Sequence, residues 1–502
     1  MQKREAETMN GGRRRRGPGR PQRSMVRGDS RWRRDQRSRQ RFMTQRGRLT
    51  ISTAIAAGVV ALVWIVDPIG PVLAALHAAP PAAPAPSTAP AQPPSSPGSP
   101  LQEPALDVLL TRLPVTRAAL ELPVRSRTLV GEAGAGRLYE EADLSALSAS
   151  PLRIDYTLDA QLTRHVHRVL RKGRVELGNV VLLEPNSGRL LAYAATDIER
   201  FPPTRNYPAA SLVKVITAAA ALDRAPQTAR LPCRYRGSPY RLTPSRIDPP
   251  AHGHTVTLRR ALATSNNQCF AQLAVHAVGA GPLLETIDRF GWLDTPAPAH
   301  AAGSADPGEE RYDVGRLGCG LAGCRITPLH AAQLAASLVH GELVAPHWIE
   351  RVVDARGREF SLPAPAAPRQ VLSPRLTAEL RSMLVDTTQV GTARRAFSGP
   401  GGAHPLGPVR VAGKTGSLTG KDPDGRYEWF IGVAPADSPR VAVAVVLVQN
   451  DLWWRNASQI AAEVLQGVFC EKRRCSAEHA SRFIQVPETT AALARVVALS
   501  GR

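Results

Sequence analysis

An 18-residue stretch without a charged residue, residues 49–66, constrains the fold of this chain more than any other feature. A helix over LTISTAIAAGVVALVWIV would be about 27 Å long, close to the thickness of the hydrocarbon core of a bilayer. Residues 1–48 hold 17 Lys and Arg residues against four acidic ones, so they carry most of the net charge of +22. Positive charge before an apolar segment favours a cytoplasmic N-terminus. We therefore predict a basic cytoplasmic tail (residues 1–48) and one transmembrane helix (residues 49–66).

A cleaved signal peptide and a nucleic-acid-binding arm are the alternatives for this region. The basic segment is much longer than the n-region of a signal peptide. A charge run is also more often a solvated tail or a topology signal than a binding surface. No cysteine lies near the apolar stretch, which excludes a lipoprotein anchor.

The rest of the chain divides by composition. Residues 67–104 are rich in Pro and Ala and predict an extended linker. Residues 105–150 are interpreted as a short lead-in module, residues 151–486 as the main domain and residues 487–502 as a C-terminal tail. In the main domain we predict a hairpin over residues 177–184 and 189–195, helices at 210–223 and 327–340, and paired strands at 428–433 and 441–448. This mixture indicates an α+β fold.

Six cysteines all follow residue 232, which suits disulfides in an oxidising compartment. Two C-x4-C spacings favour the pairs Cys319–Cys324 and Cys470–Cys475, which leaves Cys233 with Cys269. Buried free thiols are the alternative. No metal site is expected, because no histidine pair flanks the cysteines at ligand spacing.

Three short motifs occur in a fixed order: Ser211-Leu212-Val213-Lys214, Ser265-Asn266-Asn267 and Lys414-Thr415-Gly416. Ser211 would lie at the start of the predicted helix 210–223, in the positive field of its N-terminus. Lys214 follows three residues later, on the same helical face. Burial in an apolar helix would lower the pKa of this lysine, so that its neutral amine could take the serine proton. The chain uses lysine for only six of its 64 basic residues, and two of the six are in these motifs.

The three motifs together resemble those of the penicillin-binding proteins, within the serine penicillin-recognising enzymes. Further blocks match in family order over roughly residues 150–470, among them Glu184-Pro185-Asn186-Ser187-Gly188, Gly391-Thr392-Ala393 and Trp429-Phe430-Ile431-Gly432. The resemblance implies a penicillin-binding transpeptidase fold, with an antiparallel sheet flanked by helices and an all-helical subdomain.

The resemblance also implies roles for single residues. Ser211 would be the acylated nucleophile, Lys214 the general base, and Ser265 the proton relay to the leaving amine. Contacts to the substrate are expected from the following residues: Asn267, Lys414, Thr415, Gly416 and Ser417. Backbone amides of Ser211 and Ser417 would form the oxyanion hole.

The implied function is that of a monofunctional, class B-like peptidoglycan D,D-transpeptidase of the bacterial plasma membrane, with its catalytic domain outside the cytoplasm. Its partners would be stem peptides and lipid-linked precursor strands, β-lactams as covalent inhibitors, and a separate glycan-polymerising membrane protein. No cofactor and no nucleic acid are expected. The alternatives are a D,D-carboxypeptidase, a β-lactamase, or an inactive structural or sensor protein. The β-lactamase is disfavoured because no E-x-x-L-N segment follows the second motif.

Overall fold

The computed structural model describes residues 137–142, 151–398, 404–449, 454–472 and 474–484. The predicted basic tail, transmembrane helix, linker and C-terminal tail, and most of the lead-in module, lie outside these residues. Among the helices of the described residues, none has both the length and the apolar character that crossing a bilayer requires.

The α-helices of the described residues are α1 (Ala160–Lys172), α2 (Val213–Arg224), α3 (Leu258–Ala263), α4 (Asn267–Gln272), α5 (Ala280–Arg289), α6 (Arg311–Cys319), α7 (Pro328–Ala336), α8 (Pro374–Gln389) and α9 (Ala457–Phe469). A π-helix, Leu273–Val278, continues α4, and a 3-10 turn, Ala210–Leu212, precedes α2.

The strands of the described residues are β1 (Arg137–Ala142), β2 (Leu152–Asp159), β3 (Leu177–Leu183), β4 (Leu190–Ala195), β5 (Tyr207–Pro208), β6 (Cys233–Tyr235), β7 (His254–Val256), β8 (Ser304–Ala305), β9 (Cys324–Ile326), β10 (Glu342–Leu343), β11 (Ile349–Asp354), β12 (Glu359–Phe360), β13 (Arg369–Gln370), β14 (Ala412–Gly420), β15 (Gly425–Ala434), β16 (Val441–Gln449), β17 (Cys470–Glu471) and β18 (Arg474–Cys475).

A five-stranded antiparallel sheet in the order β14-β15-β16-β3-β4 forms the centre of the domain. Its middle strand β16 reads VAVAVVLVQ, and residues 441–448 are all buried. An unbroken apolar run of this kind fits a strand that is covered on both faces, and both α7 and α9 contact β16. Burying each Val or Leu side chain contributes roughly 1.5–3 kcal/mol relative to leaving it exposed. The sheet is therefore a rigid support for its edge strand β14.

The helical part of the domain is built around α2. This helix is buried along almost its whole length and contacts α5, α6, α8 and the π-helix. α6 packs in turn on α4. The expected α+β fold, with an antiparallel sheet and a separate group of helices, is confirmed.

The predicted local elements agree with the structure, with two adjustments. The hairpin is β3–β4, and its turn closes with the Gly188 amide donating to the Glu184 carbonyl at 2.9 Å. The helix predicted at 327–340 has Thr327 as its N-cap and Pro328 as its first residue, but it ends at Ala336. The helix predicted from residue 210 begins as a 3-10 turn and becomes α-helical at Val213.

A second sheet, in the order β1-β2-β11-β12, contains strands from both the predicted lead-in module and the predicted main domain. β1 lies in the predicted lead-in module and pairs antiparallel with β2 of the main domain. This part of the module is therefore hydrogen-bonded to the domain that follows it.

One predicted disulfide is wrong. Disulfides join Cys233 to Cys269 and Cys470 to Cys475, as the sequence favoured, but Cys319 and Cys324 are buried free thiols. Cys319 is the last residue of α6, and its thiol turns back to the Arg316 carbonyl at 3.6 Å. Cys324 instead begins β9. The short spacing between the two residues therefore spans a helix end and a strand start rather than a disulfide-closed turn like the one between β17 and β18.

Candidate active site

Ser211 lies in the 3-10 turn that leads into α2. The residue before it, Ala210, has a positive φ of 49°, a conformation that costs a non-glycine residue roughly 1–2 kcal/mol. The backbone of Gly320, just after α6, lies against this turn. A Cβ atom at Gly320 would be 2.0 Å from the Ala210 carbonyl oxygen, so only glycine fits there. The turn that presents Ser211 is thus held in a strained conformation by its packing.

Lys214 lies three residues after Ser211 and is fully buried. Its Nζ atom is 2.7 Å from Ser211 Oγ, 2.6 Å from Asn267 Oδ1 and 3.3 Å from Ser265 Oγ. A neutral amine has one lone pair and two N–H groups. It can accept the Ser211 hydroxyl hydrogen while donating to Asn267 and Ser265, which satisfies all three contacts.

Burial lowers the pKa of Lys214 to about 8, and the nearby Cys319 opposes this shift. At pH 7 about a tenth of the molecules would then hold the neutral amine, compared with a negligible fraction for an ordinary lysine. The predicted coupling between Ser211 and a base at Lys214 therefore has the required geometry and a suitable proton affinity.

Lys414 approaches the same centre from β14. Its Nζ donates to Ser265 Oγ at 2.9 Å and to the Thr415 carbonyl at 2.7 Å. Burial and the neighbouring Lys214 both lower the pKa of Lys414 well below its usual value. Ser265 Oγ thus bridges two buried amines, and their mutual repulsion favours at most one ammonium at a time. A hydroxyl placed in this way can pass a proton between them.

Asn267 is the first residue of α4, and Asn266 caps that helix by accepting from the Cys269 amide. The side-chain nitrogen of Asn267 donates to the Tyr240 carbonyl at 2.8 Å. This contact leaves the amide oxygen directed at Lys214. The disulfide between Cys269 and Cys233 joins the same helix to β6.

The other wall of the site is β14. Thr415 Oγ1 lies 2.6 Å from Thr392 Oγ1, and Ser417 Oγ accepts from Arg426 Nε at 2.7 Å. A Cβ atom at Gly416 would lie 3.3 Å from the Ala209 carbonyl oxygen, so the strand runs very close to the turn that carries Ser211. Glycine at this position allows that approach.

An open cavity of about 550 Å³ lies between the two walls. Six of the eight predicted site residues line it, namely Ser211, Ser265, Asn267, Thr415, Gly416 and Ser417. The two lysines are buried behind this surface and contact it through Ser211 and Ser265. The structure thus brings all eight residues together.

Twelve further residues line the cavity that were not among the predicted site residues, and four of them carry polar groups that bear on the chemistry: Tyr240, Thr392, Arg426 and Glu428. Thr392 belongs to the Gly-Thr-Ala block already noted in the sequence, which was a usable signal. Glu428 directly precedes the Trp-Phe-Ile-Gly block and could have been noticed as a charge in an apolar strand. Nothing in the local sequence marks Tyr240, whose backbone carbonyl accepts from Asn267.

A serine hydroxyl in contact with a buried amine of lowered pKa, at the base of an open cleft, is an arrangement suited to acyl transfer. The amine removes the hydroxyl proton as the oxygen attacks a carbonyl carbon. The Ser265 bridge then offers a path for that proton to a leaving group.

Comparison with known proteins gives a consistent family assignment. Residues 178–469 match the family model of the penicillin-binding protein transpeptidase domain. The chain is 29 % identical over 315 residues to the peptidoglycan D,D-transpeptidase PbpA of Mycolicibacterium smegmatis, covering 54 % of this chain and 61 % of that protein. It is 26 % identical over 340 residues to the peptidoglycan D,D-transpeptidase FtsI of Escherichia coli, covering 62 % of this chain and 54 % of that protein. The chain thus spans little more than half the length of the curated relatives it matches.

Solved structures share the fold. The crystal structure of PbpA from Mycobacterium tuberculosis aligns with a TM-score of 0.52 at 25 % identity, covering 62 % of this chain and 80 % of that one. Its imipenem acyl-enzyme complex aligns with a TM-score of 0.51 at 26 % identity, covering 62 % and 79 % of the two chains. With more than half of its length matched to the family model, this chain belongs to the family of penicillin-binding protein transpeptidase domains.

Proposed function

We propose that this chain is a serine-type peptidoglycan D,D-transpeptidase that cross-links stem peptides through an acyl-enzyme. The observation that carries the proposal is the 2.7 Å contact between Lys214 Nζ and Ser211 Oγ, made by a fully buried lysine. The names of the relatives supply the substrate class, peptidoglycan, and the family resemblance implies a stem peptide ending in D-Ala-D-Ala as the donor.

In the first half-reaction, Ser211 Oγ attacks the carbonyl between the two D-alanines while the neutral Lys214 takes its proton. The carbon–nitrogen bond of the donor breaks, and the proton reaches the leaving amine through Ser265. Backbone amides of Ser211 and Ser417 stabilise the oxyanion. The products are free D-alanine and an ester on Ser211.

The strand wall recognises the donor. Thr415 and Ser417 hold its terminal carboxylate, and Lys414 supplies positive potential behind them. Thr392 orients the Thr415 hydroxyl by their mutual hydrogen bond. Asn267 binds the substrate backbone while its amide oxygen stays within reach of Lys214.

The cellular setting is part of the proposal. A helix at residues 49–66 would hold the chain in a bacterial plasma membrane, with the catalytic domain outside the cytoplasm and a separate membrane protein polymerising the glycan strands. Protease treatment of spheroplasts that express the full chain tests this arrangement. Digestion of the catalytic domain from outside supports it, and complete protection contradicts it.

The decisive test of function is gel labelling of the full-length chain in detergent with a fluorescent penicillin. The Ser211→Ala variant should lose the label, while the matched control Ser382→Ala, at an exposed serine of α8, should keep it. A Ser211-dependent band that persists for many minutes supports the proposal. Loss of label within seconds would indicate a β-lactamase, and no label on folded chain would indicate an inactive relative.

Whether the ester goes to an amine or to water separates a transpeptidase from a carboxypeptidase. Incubating the wild-type chain, once it has been shown to label with penicillin, with a D-alanyl thioester donor distinguishes the two activities. The reaction is run with and without an added amine. Amide product that rises with amine concentration supports transpeptidation, and hydrolysis alone would indicate a carboxypeptidase.

A further inference from the structure

Glu428 is a buried carboxyl group in the wall of the cleft that the chemistry described so far does not use. It lies on β15 directly opposite Ser417 of β14, and opposed residues of neighbouring strands share one face of the sheet. Only 7 % of Glu428 is exposed, and the residue lines the same cavity as Ser211.

One oxygen of this carboxyl group lacks a partner. Glu428 Oε2 is shielded from solvent and makes no hydrogen bond among the described residues. Glu428 Oε1 is 3.8 Å from Arg426 Nε, which is committed at 2.7 Å to Ser417 Oγ. An unpaired buried carboxylate oxygen is costly, so a bound molecule that brings a hydrogen-bond donor to this carboxyl group would stabilise it.

The surroundings keep Glu428 able to change its protonation state. Its strand neighbours on the same face are Ser417 and the apolar Leu447, and the N-terminus of α9 at Ala457 also lines the cavity. Burial raises the pKa of the Glu428 carboxyl to about 7, against the opposing effects of Arg426 and a backbone hydrogen bond from Ala457. The group can thus exist as an acid or as a carboxylate near neutral pH.

We propose that Glu428 binds the ammonium group of the acceptor peptide and removes its first proton, so that this end of the cleft is the acceptor site. The inference rests on the proposed transpeptidase function. An ammonium is the donor best matched to an unpaired carboxylate oxygen. Amine transfer also requires such a group beside the acyl-enzyme, since an ammonium has no lone pair with which to attack.

The two protonation states of Glu428 fit the two half-reactions. While the donor carboxylate is held at Ser417, the uncharged acid avoids repulsion with it. When D-alanine leaves with that carboxylate, the place beside Ser417 becomes vacant. The carboxylate form of Glu428 then receives the cationic acceptor.

The second half-reaction accounts for all three protons of the acceptor ammonium. Glu428 takes one proton from the ammonium and becomes the carboxylic acid. The freed lone pair of the nitrogen forms a bond to the acyl carbon, and the ester bond to Ser211 Oγ breaks. A second proton of the nitrogen passes through Lys214 to Ser211 Oγ, the third stays on the new amide, and Glu428 returns its proton to solvent.

The test compares two nucleophiles on the same acyl-enzyme of the full-length chain in detergent. A D-alanyl thioester serves as donor. D-alanine serves as a cationic acceptor, and hydroxylamine serves as an acceptor that is uncharged at neutral pH. In Glu428→Gln, amide formation with D-alanine should fall at least about tenfold through a raised KM for D-alanine, because a charged hydrogen bond is lost. Hydroxamate formation and labelling by fluorescent penicillin should change less than about twofold.

The matched control is Glu463→Gln, an acid of α9 that pairs with Arg455 and Lys172 away from the cleft. It should leave both nucleophiles unaffected. Unchanged D-alanine transfer in Glu428→Gln, or an equal fall with hydroxylamine, would overturn the inference. Failure of the wild-type chain to label with penicillin would instead overturn the proposed function itself.

Should Glu428→Gln not fold, Glu428→Asp decides the question, because it keeps the carboxyl group at a shorter reach. A selective loss of D-alanine transfer relative to hydroxylamine in this variant supports the inference. An equal response to the two nucleophiles contradicts it.

Discussion

The inner end of the cleft, around Lys214 and Ser265, differs from the outer end, around Arg426 and Glu428, in how its polar groups are paired. At the inner end, the Lys214 amine has three polar contacts within 3.3 Å, and Lys414 reaches the same Ser265 hydroxyl. At the outer end, Arg426 is half exposed and Glu428 keeps one oxygen unpaired. The inner groups thus have their hydrogen-bond partners before any substrate arrives, while Glu428 at the outer end still has one oxygen without a donor.

This difference separates chemistry from recognition. A proton-transfer centre works best when its geometry is preorganised and dry, since nothing then has to reorganise during the reaction. A recognition site gains affinity from polar groups whose missing hydrogen-bond partners are supplied by the ligand. Substitutions at the inner end should therefore reduce acylation itself, and those further out should reduce it less or change only substrate preference.

The largest effect is expected at the inner end, from Lys214→Met. Removing the base should slow acylation of Ser211 by fluorescent penicillin by roughly 10²–10⁴-fold, the usual contribution of a general base. The matched control Lys421→Met, at an exposed lysine after β14, should label at the wild-type rate. Rapid labelling of Lys214→Met would show that another group is the base. The inner end would then no longer differ from the outer end in its effect on acylation.

The pH dependence of acylation is a second test of Lys214 as the general base. The reactive form of Lys214 is the neutral amine, and burial lowers its pKa to about 8. The second-order rate constant for penicillin acylation should therefore rise about tenfold per pH unit below that value and level off above it. A profile that is flat between pH 6 and pH 8 would contradict a base at Lys214.

An intermediate effect is expected from Gly320→Ala, which disturbs the support of the Ser211 turn rather than the chemistry. The new Cβ would start 2.0 Å from the Ala210 carbonyl oxygen, so the turn must move. We expect the free energy of unfolding to fall by about 1–3 kcal/mol, measured by urea denaturation, together with slower labelling. Gly357→Ala, where a Cβ would meet nothing within 4 Å although φ is also positive, controls for the cost of backbone conformation alone.

The smallest effect is expected from Thr392→Val, further along the strand wall. The substitution removes the hydrogen bond to Thr415 and leaves Ser211 and both lysines in place. Loss of about 0.5–1.5 kcal/mol should slow acylation by roughly two- to tenfold, and the stopped-flow rate with a reporter β-lactam measures it. A loss as large as that of Lys214→Met would show that the strand wall takes part in the chemistry.

Local patterns were sufficient where the determining contacts are local. The three-residue spacing of Ser211 and Lys214 predicts their contact, because it follows from helix geometry, and the apolar run of β16 predicts a buried strand. Thr392 meets Thr415 only because α8 packs on β14, and Tyr240 contacts Asn267 through a backbone carbonyl that its residue type does not reveal. The Cys319–Cys324 pairing failed for a related reason, since their spacing does not reveal that one residue ends a helix and the other starts a strand.

The close backbone contacts at Gly320 and Gly416 also bear on how such a protein can change under selection by antibiotics. Any side chain at Gly320 collides with the backbone of the turn that holds the nucleophile, whereas a Cβ at Gly416 would lie 3.3 Å from the Ala209 carbonyl oxygen and need only small shifts. Variants at Gly320 therefore lose stability, whichever drug is present. Tyr240 and Arg426 line the same cleft and are half exposed at its rim. If the proposed function holds, changes in β-lactam susceptibility that preserve the fold should therefore arise at the rim more readily than beneath Ser211.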